Sequence, residues 1–219
     1  GVEKAAERLR GKTEKKQPTI PLAEVVSKPK LKTSPDVVPD YWAGSAINYL
    51  VTLGIMDNFP DGNFKPTREI TRGELAVILV KAKGFLVDKE VKLKFSDVPL
   101  YSFESPYISL AVERKYMQGF SDGVFHPERQ VTRAETALIM ARFSGLYVKP
   151  KIKEKAFPDL PVEHWSAGAV AATKESGLFE YLSGKGFGPN LGLTRAEAAE
   201  IISKTPVVKQ QIEKLISGE

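Results

Sequence analysis

At 219 residues, 42% hydrophobic and 27% charged, the chain has enough apolar material for a substantial core, as one large domain or two to three small units. A net charge of +5 leans weakly toward anionic partners, and the absence of cysteine excludes disulfides and thiolate metal sites. No apolar run is long enough to span a bilayer, so no membrane insertion is expected. No signal peptide is seen and the first residue is Gly, which points to a processed protein or a piece of a longer one.

Residues 1–32 are Lys-rich (Lys12, Lys15, Lys16, Lys28, Lys30, Lys32) and carry prolines at 18, 21 and 29. They read as a linker or extension, with Thr19 to Val26 apolar enough to dock on the body. From there the chain repeats three times, and the expected units are 33–84, 95–145 and 157–206, with a last amphipathic helix over 207–219. The copies align without a gap on Arg72, Arg133 and Arg195. Asp36, Asp97 and Asp159 lie 36 residues before these arginines, and six residues after each Asp comes Trp42, Phe103 or Trp165. Phe64, Phe125 and Phe187, then Pro66, Pro127 and Pro189, recur at fixed offsets.

Within each copy the pattern is helix, glycine turn, loop, helix. In the first copy, Ala46, Ile47, Leu50 and Leu53 recur at three-and-four spacing, which predicts a helix over Trp42–Leu53 that stops at Gly54. The same element is expected over Ser105–Lys115 and Ser166–Ser176. Phe59 to Pro66 and Phe120 to Pro127 hold Asp-Gly between aromatics, a tight-turn signal compatible with a short strand pair; the third copy lacks that Asp.

The second helices are marked by Thr71-Arg72-Gly73-Glu74, Thr132-Arg133-Ala134-Glu135 and Thr194-Arg195-Ala196-Glu197. Thr with Glu three residues on is the capping-box pattern, so Glu74, Glu135 and Glu197 read as caps. Arginine at the first helical position is unfavourable to the macrodipole, and free amides beside a guanidinium would make a place for an anion. The helices over 72–83, 133–143 and 195–204 are apolar nearly all round, which predicts interior positions on a common axis. The expected fold class is therefore all-α in the main, a pseudo-threefold bundle of helix-loop-helix repeats around a central three-helix core.

These motifs, in three tandem copies over about Thr33 to Pro206, resemble the S-layer homology domain of bacterial surface proteins. The resemblance implies grooves between neighbouring copies and non-covalent attachment at the cell surface to a wall-linked polysaccharide, typically one ending in a pyruvylated amino sugar. It implies that the motif arginine meets the pyruvate carboxylate, while the Asp, the Trp and a loop Gly line the sugar site. Carried over, these are Arg72, Arg133 and Arg195; Asp36, Asp97 and Asp159; Trp42 and Trp165, with Phe103 in the second copy; and Gly119, whose counterparts are Asn58 and Tyr181. No copy carries the whole set, so unequal grooves are expected, with the Tyr181 groove weakest. Which arginine serves which loop is left open.

From the residues alone, inter-repeat salt bridges explain the arginines as well as a ligand does. An N-cap or turn role for the aspartates and core positions for the large aromatics are the commoner outcomes. His126 and His164 sit at non-equivalent positions and imply no nucleophile–base pair, and Asp57 to Gly62 fails as a calcium loop. No enzyme, metal or cofactor is expected. Basic residues are scattered rather than gathered in a stripe, so nucleic acid is not an expected partner. The expected partners are an anionic wall polysaccharide or peptidoglycan-associated polymer, and S-layer subunits by self-association. The competing function is a structural assembly module without a glycan ligand.

Overall fold

The computed structural model describes residues 28–88 and 90–219; most of the expected N-terminal extension lies outside them. Among the described residues seven α-helices follow in order: α1 (Gly44–Thr52), α2 (Arg72–Ala82), α3 (Ser105–Glu113), α4 (Arg133–Phe143), α5 (Ala167–Glu175), α6 (Arg195–Ser203) and α7 (Pro206–Ser217). Among the described residues one 3₁₀ turn, Glu180–Leu182, leads into the loop of the third copy, at the place of residues 57–59 of the first. The fold is all-α, with no strand among the described residues.

Each second helix starts as its sequence dictates. Thr71, Thr132 and Thr194 accept the amide of the Glu three residues on, and the Glu carboxylate takes the Thr amide in return. The first helices end where Gly54 and Gly177 adopt φ of 71° and 84°; Lys115 holds the equivalent position at 62°.

The copies close into a ring. The extensive helix pairs are α2 with α3, α4 with α5 and α6 with α1, so each second helix packs on the first helix of the next copy. On the axis, the Ile70 amide donates to the Leu193 carbonyl (2.8 Å), Leu193 to Val131 (2.9 Å) and Val131 to Ile70 (3.2 Å). All three side chains are fully buried. This triangle of backbone bonds joins segments far apart in sequence, and only a closed threefold arrangement satisfies it. The short strand pair expected inside the loops is not there. Phe59 instead donates to Asn63 (2.9 Å) and Phe120 to Val124 (2.8 Å) as turns, and the β-bridges run between copies.

One continuous core includes α2, α4 and α6 and the loop phenylalanines Phe64, Phe125 and Phe187, each fully buried. Burial of each such ring is worth about 1.5–3 kcal/mol. Helix α7 docks through Val208, and Gln211 donates to the Ala82 carbonyl (2.8 Å), tying the end of the chain back to the first copy.

Candidate functional site

The ring makes three related clefts, and two of them, A and C, are lined by residues of all three copies. A motif arginine comes from one copy, the loop and second helix from the next, and the aromatic ahead of the first helix from the one after. In groove A, Arg195 donates through Nε to the Phe64 carbonyl and through Nη2 to the Asp57 carbonyl, both at 2.7 Å, and Phe103 stands opposite. In groove B, Arg72 donates through Nε to Phe125 (2.9 Å) and through Nη2 to Gln118 (2.7 Å), with Gly119 and Arg142 on the wall. Trp165 precedes α5, which packs on α4, and so holds the place here that Phe103 holds in groove A. In groove C, a cleft of ≈ 600 Å³, Arg133 faces Tyr181 and Trp42.

The helix-start amides do not wait for an anion as the sequence suggested. Those of Arg72 and Gly73 donate to the Arg129 and Pro127 carbonyls, both at 2.9 Å, and the other two motifs repeat the pattern. The cationic group left at each helix start is the guanidinium. Arg72 and Arg195 are nearly buried, yet each commits only Nε and one Nη to these bonds, of the five N–H donors a guanidinium carries. Burial pulls the Arg195 pKa down to about 10, which leaves it cationic at neutral pH.

Asp36, Asp97 and Asp159 serve their own copies. Asp36 accepts from the amides of Phe64 and Lys65, both at 2.8 Å; Asp97 does so from Phe125 and His126, and Asp159 from Phe187 and Gly188. The second residue of each pair has positive φ: 57° at Lys65, 56° at His126 and 61° at Gly188. The carboxylate thus pins a left-handed corner that a non-glycine residue would otherwise resist. At Asp159 the Gly188 amide leads in lowering the pKa, against partial burial; at Asp97 burial opposes, and the two amides outweigh it.

The aromatics, for which the core was the commoner expectation, are at the surface: Trp42 is 50% exposed, Phe103 67% and Trp165 62%. Gly119 gives its open side to Phe95, since a Cβ there would fall on that ring. In the first copy the matching pair is Ser34 and Asn58, hydrogen-bonded at 2.7 Å.

Groove C is wired differently. Tyr181 donates to Glu197 Oε2 at 2.6 Å, Arg133 Nε donates to the same oxygen at 2.8 Å, and Trp42 stacks on Tyr181 with centroids 5.2 Å apart. Burial and the Glu197 charge push the Tyr181 pKa well up, so the phenol stays a donor. The sequence carried a sign of this that its capping reading passed over. Arg68 and Arg129 pair with Glu74 (2.9 Å) and Glu135 (2.6 Å), whereas Leu191 stands at the third position and leaves Glu197 to Arg133.

One nucleophile–base contact exists after all: His164 Nδ1 lies 2.8 Å from Ser166 Oγ. Ser166 is fully buried, and the Ser166 amide also points to Nδ1, so the contact is a local turn ahead of α5. Among the described residues no metal cluster forms, and no helix is long and apolar enough to cross a membrane.

The sequence model of the S-layer homology domain matches residues 35–76, 94–137 and 156–199, more than half of the chain. The chain belongs to the S-layer homology domain family. It is 32% identical to an uncharacterised cell wall amidase of Bacillus anthracis over 79% of this chain and 32% of that protein. It is also 32% identical to the S-layer protein EA1 of Bacillus anthracis, over 80% of this chain and 20% of the relative. A cellulosome-anchoring protein of Acetivibrio thermocellus is 30% identical over 64% of this chain and 32% of that one. The chain therefore spans a fifth to a third of the length of these relatives. Membership places this S-layer homology module at the cell surface, associated with the wall.

Proposed function

We propose that this S-layer homology module anchors its parent protein to the cell wall by holding the anionic terminus of a wall-linked, pyruvylated polysaccharide in groove B. One observation carries the choice of groove. The Arg72 guanidinium sits on the Gln118 carbonyl, next to Gly119, and the threefold equivalence with Phe103 supports Trp165 as the third member of the set that no single copy contains. Among the described residues Arg72 pairs with no carboxylate, whereas Arg133 of groove C is neutralised by Glu197, and Trp42 is stacked on Tyr181. A guanidinium–carboxylate contact in a partly desolvated cleft is worth about 1.5–3 kcal/mol, and an exposed indole adds a flat face for a sugar ring. The aspartates contribute by fixing the loop that carries Gly119 and its counterparts, rather than by reaching the ligand.

The test is sedimentation of the protein with wall sacculi before and after chemical removal of ketal-linked pyruvate. The reading expects binding that disappears with the pyruvate; binding that persists unchanged would contradict recognition of the carboxylate.

A second reading, a self-assembly module without a glycan, draws on the carbonyl bonds by which Arg72 and Arg195 lock one copy to the next. It expects no binding to either wall preparation, together with concentration-dependent association.

A further inference from the structure

Groove A holds a charge of its own. Glu104, just before α3, lies against Gly73 at the start of α2, where a Cβ would fall on the Glu104 carboxylate. The matching pairs in the other grooves are Ala134 with Ser166 and Ala196 with Ala43. A carboxylate and the missing methyl that makes room for it therefore occur together in one groove of the three.

That carboxylate is not a helix cap, since it makes no bond to the α3 amides. The nearby cations make their bonds to other groups. Arg195, from α6, bonds to the Phe64 and Asp57 carbonyls; Lys81, from α2, pairs with the Asp57 carboxylate at 2.8 Å; and Arg68 pairs with Glu74. Glu74 of α2 and Glu128 of the second loop face it with like charge, and burial followed by these two carboxylates raises its pKa. Glu104 thus lines the same ≈ 270 Å³ cleft as a motif arginine, partly desolvated and with no salt-bridge partner among the described residues.

We propose that Glu104 is a resident anion that keeps groove A shut to anionic glycan while it is ionised, and that removal of its charge opens groove A as a second site. The proposal rests on the reading that a groove takes a carboxylate next to its motif arginine. A ligand carboxylate drawn to Arg195 would enter the cleft that Glu104 also lines, and two carboxylates sharing one site disfavour each other's charge. Groove B has Ser166 at that position and carries no such charge.

The experiment titrates the whole 219-residue chain with a synthetic N-acetylhexosamine bearing a 4,6-pyruvate ketal, reading stoichiometry by calorimetry and location by backbone amide shifts. The native protein is expected to bind one equivalent at pH 7.5 and to gain a weaker second at a pH low enough to protonate Glu104. Glu104→Gln, which keeps the size, and Glu104→Ser, which copies groove B, should each bind two equivalents at pH 7.5. Second-site affinity should rise at least tenfold, with the Gly73 and Asn58 amides shifting. One equivalent in both variants, with Gly73 unmoved, would overturn the gate and leave the groove reading intact. Two equivalents in the native protein at pH 7.5 would also overturn the gate. No binding by the native protein at either pH would overturn the groove reading and the gate with it.

Discussion

Arg133 Nε donates to Glu197 Oε2 at 2.8 Å, joining the second copy to the third through a pair whose side chains are 15% and 7% exposed. Breaking such a pair from one side leaves a buried charge without compensation. Arg133→Ala is expected to lower stability by about 3 kcal/mol or more, read as a lower urea midpoint, while wall binding per folded molecule is unchanged. A variant that kept its midpoint and lost wall binding would show groove C to be a live site.

The wiring of groove C should be reversible. Leu191→Arg combined with Tyr181→Gly restores the residues found in the second copy at both positions, offering Glu197 the partner that Arg68 and Arg129 provide to Glu74 and Glu135. The expected outcome is a gain of glycan binding, measured as added equivalents, that is lost again with Arg133→Ala.

Asp97 and Asp159 have lowered pKa values, so their folded-state carboxylates hold protons less readily than in the unfolded chain. The stability they add is present above the unfolded carboxylate range, near pH 4, and is lost as the pH falls through the lower folded values. Asp159→Asn should be destabilised at pH 7, with the gap to the native protein narrowing below pH 4. Denaturant titrations across that range check it.

Glu104 has the opposite sign. Its folded pKa is raised, so the stability linked to it is fully present below the unfolded value and is lost as the pH rises through the folded one. Glu104→Gln is expected to raise the melting temperature at pH 7 and to leave it unchanged at pH 4.

Much of the fold could be read locally. Thr71, Thr132 and Thr194 with their glutamates announced three helix starts because a capping box needs only four consecutive residues, and the fixed offset of Phe64, Phe125 and Phe187 announced the core. The bond triangle among Ile70, Val131 and Leu193 could not be read, since it depends on ring closure between segments more than sixty residues apart. For the same reason no pattern within one copy could say that Arg72 meets the Gln118 loop or that Arg195 meets Asp57. The aspartates were legible as conformational anchors in kind but not in target, because their amide partners lie 28 and 29 residues away. The exposure of Trp42 and Trp165 reflects their position just ahead of a first helix, and for Trp42 this is the edge of a cleft that exists only once the ring has closed.

The claim that the complete set assembles in groove B is tested most directly by comparing sacculus binding of Trp165→Ala with that of Trp42→Ala. Both residues are surface-exposed, so neither change should unfold the protein, and thermal melts verify this. The account predicts at least a tenfold loss of wall affinity for Trp165→Ala and little change for Trp42→Ala. Equal losses, or a loss confined to Trp42→Ala, would contradict it.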